Sequence, residues 1–276
     1  MMARRRHGLR TLAVSAGAAV AAGFMAYAAL ERAVRADYPA LALARGRQLL
    51  RKSRRVLIAT GIWDDAPLWI GGTMRLLAQQ GADITVAGPA PVPCRPPWRD
   101  MADFRPLLPE DLPGDQVYSP AAQKALRSLW IELKPDLVFT FDPSFPVVLG
   151  HPARAVVGNA VIDLVLSGAV AAAGVYAFGT RRPDTLVDIG PLIRGKQRAM
   201  APRPGTTGLR ARLAPAAVGL LGRLYGKGAG LAYAEALRAV GPASRIPAQA
   251  CATAGREPAW DGTAAGGSQR MAWEDS

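Results

Sequence analysis

The sequence predicts an α/β protein: a Rossmann-like, doubly wound, mainly parallel sheet in a single domain, preceded by an N-terminal hydrophobic helix. Three observations predict it. Val56-Leu57-Ile58-Ala59-Thr60 is a short apolar run, partly β-branched and bounded by basic residues and Gly61, the pattern of a strand buried on both faces. Ile70, Met74, Leu77 and Ala78 then repeat at helical spacing up to Gln80, with Gly81 placed as a C′ glycine. Ile84-Thr85-Val86-Ala87 returns to strand, and strand, loop, helix and strand in that order form a βαβ unit, which belongs in a parallel sheet.

At 276 residues, half of them apolar, the chain is long enough for one such domain with a leader and a tail. The leader comes first. After Arg4, Arg5, Arg6 and Arg10, residues 11–30 carry no charge, and twenty residues span roughly 30 Å as a helix, about one hydrocarbon core. Three readings stay open: a retained single-pass membrane anchor, a cleaved signal peptide with Ala26-Tyr27-Ala28 as its small-x-small site, and a hydrophobic helix buried in the domain. The expected division is a signal anchor or signal peptide at 1–34, a basic linker at 35–55, the α/β domain at 56–241 and a flexible tail at 242–276.

The charge distribution limits the partners. The formal net charge is +13, yet residues 1–55 hold twelve Arg or Lys against Glu31 and Asp37, so only +3 remains for residues 56–276. The basicity belongs to the leader, which argues against nucleic acid; a membrane contact is expected through the N-terminal helix, and the basic linker either lies on anionic lipid beside it or is a solvated linker. Cys94 and Cys251 are the only cysteines, too few and too isolated for a disulfide framework or a cysteine metal site.

Within the domain, Pro89 to Pro113 is proline-rich and reads as a surface loop over the sheet edge. A helix follows from Pro120 to Leu133, a strand at Leu137 to Thr140, a helix from Pro152 to Leu166, and strands at Val175 to Phe178 and Thr185 to Ile189. A last helix from Ala229 to Val240 closes the fold.

Ligands of open parallel sheets bind outside the carboxyl ends of the strands, which directs attention to Gly61-Ile62-Trp63-Asp64-Asp65-Ala66. Adjacent carboxylates there either divide the work of metal binding and proton transfer or cap the next helix and complement its dipole. Asp142, before Pro143, is a turn residue or a further oxygen donor for a hard cation such as magnesium or manganese, together with Asp64, Asp65 and His151. Trp63 and Trp69 flank the loop, either to stack on a sugar ring or to pack beneath it.

The loop, followed by Gly71-Gly72-Thr73, resembles the Pro-His-Pro-Asp-Asp-Glu and Gly-Gly-Thr opening of the PIG-L/LmbE-like N-acetylglucosaminyl deacetylase family. Pro135-Asp136-Leu137-Val138, the run His151 to Gly158, Gly179 to Asp184, Val187-Asp188-Ile189 and Tyr233 to Ala236 are similar to its later landmarks, in order, so the likeness covers residues 55–241. It implies a zinc-dependent deacetylase of N-acetylglucosamine-containing substrates, with Asp64 as general base, Asp65 as carboxylate ligand and His151 as oxyanion stabiliser or proton donor to the leaving amine. Ile62 and Arg154 stand where the two histidine ligands would, Ala66 replaces the glutamate and Ala153 the next aspartate. Asp65 alone is an incomplete metal site, since a catalytic zinc takes about three protein ligands. The expectation is therefore no zinc, or weakly bound zinc, with Arg154 ion-paired to Asp64 or Asp65. The ligand would be an amino sugar, a glycolipid or a partner protein, and the alternative is an active amide hydrolase with an altered metal site. A nucleotide-binding module is disfavoured, because Gly71-Gly72 follows the loop and forms no Gly-x-Gly-x-x-Gly turn.

Overall fold

The computed structural model describes residues 40–89, 98–108, 120–144, 152–170, 174–201 and 209–241. The expected hydrophobic helix, His7, Cys94, His151, Cys251 and the tail lie outside the described residues. Among the described residues no helix is long and apolar enough to cross a membrane.

The elements in chain order are α1 (Ala40–Lys52), β1 (Arg55–Ala59), α2 (Asp65–Gln79), β2 (Asp83–Pro89), a 3-10 turn (Arg99–Met101), β3 (Asp103–Leu108), α3 (Pro120–Leu133), β4 (Leu137–Phe141), α4 (Pro152–Leu166), β5 (Gly174–Phe178), β6 (Thr185–Asp188), a 3-10 turn (Gly190–Leu192), α5 (Ile193–Ala199), α6 (Leu209–Lys227) and β7 (Ala234–Val240). They build a seven-stranded sheet of order β3-β2-β1-β4-β5-β7-β6, in which β7 alone runs antiparallel. This is a mainly parallel, doubly wound arrangement. Its strand order reverses at β1, which pairs with β2 on one side and β4 on the other, so the crevice between the ends of β1 and β4 is the topological switch point.

Alternation along the central strands fills both layers. Val56, Ile58, Phe139 and Phe178 join Ile70, Met74 and Leu77 of α2 in one core. Leu57, Ala59, Val138 and Ala177 face α3 and α4, where they meet Leu126, Trp130, Val161 and Leu164. Each fully buried aliphatic side chain contributes roughly 1.5–3 kcal/mol of transfer free energy, so a strand apolar on both faces belongs in the centre of such a sheet. α2 ends at a Schellman motif: Gly81 adopts φ +77° and donates to Ala78 O, while Ala82 donates to Leu77 O.

Four expectations differ from the fold. The segment expected as a closing helix from Ala229 to Val240 forms β7 instead, inserted between β5 and β6. Its Ala, Leu, Glu and Arg content favours helix by about half a kcal/mol per residue or less, and the two flanking strands outweigh that with ladder hydrogen bonds and near-complete burial. The proline-rich loop contains β3, which pairs with β2 at the sheet edge. An edge strand tolerates Pro106 because one side of its backbone makes no ladder bonds. Residues 40–52, expected as a basic linker, form α1, which lies along the other edge strand, β6: Gly46 sits against Leu186 O, where any Cβ would collide. That cover protects an otherwise open edge. α2 begins at Asp65, one turn before the periodic apolar positions, and α5 and α6 were not anticipated.

Candidate functional site

β1 delivers the loop 60–64 to the switch point, and the Thr60 hydroxyl braces it by donating to Ile62 O at 2.7 Å. Gly61 allows the first turn of α4 to close on the loop, because a Cβ there would run into the backbone of Ala153 and Arg154. This contact brings Arg154 to the N-terminus of α2.

The Arg154 guanidinium then binds Asp65 in bidentate fashion: Nε donates to Oδ2 and Nη2 to Oδ1, both at 2.6 Å. Asp65 is buried, with 1% of its side chain exposed, and Arg154 has 17% exposed. The guanidinium also lies over the Phe141 ring, 5.0 Å from its centroid. Phe141 is held edge-on against Phe178 and Trp69, with centroid distances of 5.7 and 6.1 Å. The pair has fork-to-fork geometry, the strongest form of charge-assisted hydrogen bonding. Of the two partners left open by the sequence, Arg154 takes Asp65. Asp64 is exposed at the N-cap of α2 and makes no capping hydrogen bond with its side chain. Ile62 is half-buried beside it.

These donors do not suit zinc. Both oxygens of Asp65 are engaged by Arg154, Ile62 offers no lone pair, and the guanidinium sets a permanent cation against the carboxylate, which repels a dication. Among the described residues no three His, Cys, Asp or Glu side chains converge as a metal-holding group. Asp142 is also tied to an arginine: Arg238 Nε donates to Oδ2 at 2.9 Å and Nη2 to Oδ1 at 3.0 Å, and the Ser144 amide and hydroxyl add bonds to Oδ1. Burial pushes the Asp142 carboxyl up, but hydrogen bonds from Arg238, Ser144 and Thr180 outweigh it and hold it below the ordinary carboxylate value.

That depression fixes a sign. A carboxyl with a folded pKa below its unfolded value near ~3.9 stabilises the fold above that pH and loses the contribution as pH falls through the folded value. The stability difference between the parent and an Arg238→Met variant will therefore be largest at neutral pH and shrink as pH drops below about 4, read from urea midpoints. A difference that stays constant over that range would assign Arg238 a packing role only.

Gly71-Gly72-Thr73 serves an internal carboxylate. α2 breaks its helical geometry at Ile70 (φ −128°, ψ 19°), which leaves the amides of the next turn without helical acceptors. Glu235 of β7 fills the gap: its carboxylate accepts from the Gly72 amide at 2.8 Å, the Thr73 amide at 2.7 Å and the Thr73 hydroxyl at 2.6 Å, and it pairs with Lys196 of α5. An anion at a helix N-terminus is the favoured arrangement, here supplied by the protein itself. Sequence reasoning missed this cluster. Gly71-Gly72-Thr73 and Tyr233 to Ala236 stood out separately, but nothing in the sequence joined them or pointed to Lys196; Gly72 has no room for a side chain, since a Cβ there would come 2.5 Å from Ile189 Cγ2. Trp63 is used in packing as well, donating from Nε1 to Pro89 O at 2.7 Å with its ring against Gly88. Trp69 lies against Phe141 beneath the guanidinium.

No protein-family model and no curated protein sequence matches the chain. Solved structures do share its fold. It is similar to N,N'-diacetylchitobiose deacetylase from Pyrococcus horikoshii, complexed with its inhibitor MPG, at TM-score 0.56 and 17% identity over 71% of this chain and 86% of that one. It is also similar to 4-carboxy-2-hydroxymuconate hydratase from Pseudomonas putida, at TM-score 0.52 and 19% identity over 70% and 98%. A third is a conserved protein from Thermus thermophilus, at TM-score 0.50 and 18% identity over 68% and 94%. At these identities the likeness establishes only that the chain shares the mainly parallel α/β fold of these proteins. A deacetylase and a hydratase on one scaffold mean that the site, not the fold, decides the chemistry.

Proposed function

We propose that this chain is a membrane-associated protein of the LmbE-like deacetylase fold in which an internal ion pair has replaced the metal centre. Its role is then to bind an amino sugar, a lipid-linked sugar or a partner protein rather than to hydrolyse an amide by ordinary zinc chemistry. The observation that carries the reading is the bidentate Arg154–Asp65 contact, since it uses both oxygens of the one carboxylate ligand that the family pattern retains. Hydrolysis by ordinary zinc chemistry needs a water activated by a Lewis acid with an open position. A guanidinium bound to its carboxylate supplies neither. The support for membrane association is the uncharged stretch at residues 11–30 behind four arginines.

The test is metal content followed by turnover. Purified full-length chain, loaded with zinc and desalted, is expected to retain far less than one zinc per molecule. An Ile62→His, Arg154→His double variant, which frees Asp65 and restores two imidazoles, is expected to approach one. Acetate release from N-acetylglucosamine derivatives should stay at background and be indifferent to Asp64→Asn. Stoichiometric zinc in the parent, or acetate release abolished by Asp64→Asn, would establish a hydrolase instead.

A further inference from the structure

The position of Ala40 decides which end of the fold the leader reaches. α1 runs about 20 Å and enters β1 through Ser53 and Arg54, at the N-terminal ends of the parallel strands. Its first turn lies at the opposite end: Ala42 is buried with Leu224 and Tyr225 of α6 and with Ala234, where the antiparallel β7 begins. The chain preceding Ala40 therefore joins the domain at the end that carries the switch point. Leu30, the last residue of the uncharged stretch, is ten residues before Ala40, a reach of at most about 36 Å.

The charge at that end matches. Arg181 and Arg182 leave β5 after Thr180, Arg194 and Arg198 lie on α5 beyond the end of β6, and Arg223 and Lys227 lie on the last turns of α6 beside β7; all six are exposed. Among the described residues, Asp64 and Asp188 are the exposed acids on the segments at this end. The other end is mixed. Arg54 bonds Gln80 O through its side chain, the amides of Arg54 and Arg55 donate to the Asp136 carboxylate, and Asp83 and Glu132 are exposed nearby. The basic run at residues 51–55, expected to lie on lipid next to the leader, is separated from it by the whole of α1.

We propose that the switch-point end of the domain rests on an anionic lipid surface, held by Arg181, Arg182, Arg194, Arg198, Arg223 and Lys227. The loop 60–64 and Arg154 then face the bilayer. The inference rests on the membrane reading of the leader and adds a direction to it. Clusters of arginine and lysine near an anionic leaflet are attracted over about one Debye length, so the contact requires anionic headgroups and weakens with salt.

The experiment is flotation of the full-length chain with vesicles of phosphatidylcholine alone or with about one third phosphatidylglycerol, followed by amide hydrogen exchange on the floated protein. The expected result is flotation with both compositions, and exchange across residues 179–200 slowed at least about threefold by the anionic vesicles only. An Arg181→Glu, Arg182→Glu, Arg194→Glu, Arg198→Glu variant is expected to float equally well and lose the slowing. Flotation without slowing, slowing at Gln80–Asp83 and Lys134–Asp136 instead, or slowing by a single-stranded polynucleotide but not by vesicles would each overturn the orientation and leave the anchor in place. Failure to float with either composition would overturn the membrane reading itself, and the orientation with it.

Discussion

An Arg154→Ala variant will lose about 3–5 kcal/mol of stability, because it leaves the Asp65 carboxylate buried without its counter-charge. The reason is an asymmetry. Moving the two ions out of water costs several kcal/mol each, and the bidentate bonds in the low-dielectric crevice offset that cost only while both partners are present. Asp65 is 1% exposed behind the guanidinium, so the carboxylate relies on that partner in the folded protein. The Phe141 ring loses its cation at the same time, a further loss of about 0.5–1 kcal/mol. An Asp65→Leu, Arg154→Met double variant removes both charges, fills the space with apolar atoms, and will recover most of the loss. Arg154→Lys falls between, since an ammonium cannot fork onto two oxygens or stack on a ring in the same way. Urea denaturation of the four proteins makes the measurement. If Arg154→Ala unfolds within about half a kcal/mol of the parent, the pair is a loose surface contact of the ordinary kind, and the reading that it stands in place of a metal centre fails with it.

A Glu235→Ala variant is expected to lose a similar amount, about 3–5 kcal/mol, and to lose it in α2 first. Three donors and one ammonium depend on that carboxylate, which is 2% exposed: two amides and a hydroxyl from Gly72 and Thr73, and Lys196. Buried donors left unmade cost about 1–3 kcal/mol each before relaxation, and the two amides lie just after the break at Ile70, at the start of the second half of α2. Glu235→Gln keeps an acceptor but not the charge balance, so Glu235→Gln with Lys196→Met should be more stable than Glu235→Gln alone. Thr73→Ala removes only the hydroxyl bond and costs about 1 kcal/mol. Hydrogen exchange at Gly72 and Thr73 is the local readout: both amides should speed up in Glu235→Ala well before the amides of β1 do. Unchanged protection at these two positions would show that the break at Ile70 is capped by something else.

The local elements most readable in the sequence were those with a physical marker at their ends. Pro120 and Pro152 stand at the first position of α3 and α4, where a missing amide costs nothing and a fixed φ helps, so both helices start where expected. Gly81 ended α2 for a comparable reason, as the residue that tolerates φ +77°. The segment Ala234–Val240 carried no such marker. Its composition is that of a helix, and only its position between two strands makes it a strand. α5 and α6 were hidden by the glycines and prolines that interrupt their pattern, including Pro215 inside α6.

The candidate site divides along the same line. The donor chemistry was readable without coordinates: Ile62 has no lone pair, Arg154 is a cation, and the domain holds one histidine. Such statements concern atoms that each residue carries wherever it is placed. The choice of Asp65 over Asp64 by Arg154, the capture of the Gly72 and Thr73 amides by a carboxylate 162–163 residues away, and the burial of Ala42 against α6 and the start of β7 came from the tertiary structure alone. Sequence periodicity reports which face of an element is apolar, a property set within a few turns. Which charge meets which depends on how sheet order and helix contacts bring distant segments together, and that packing is set by the whole chain at once.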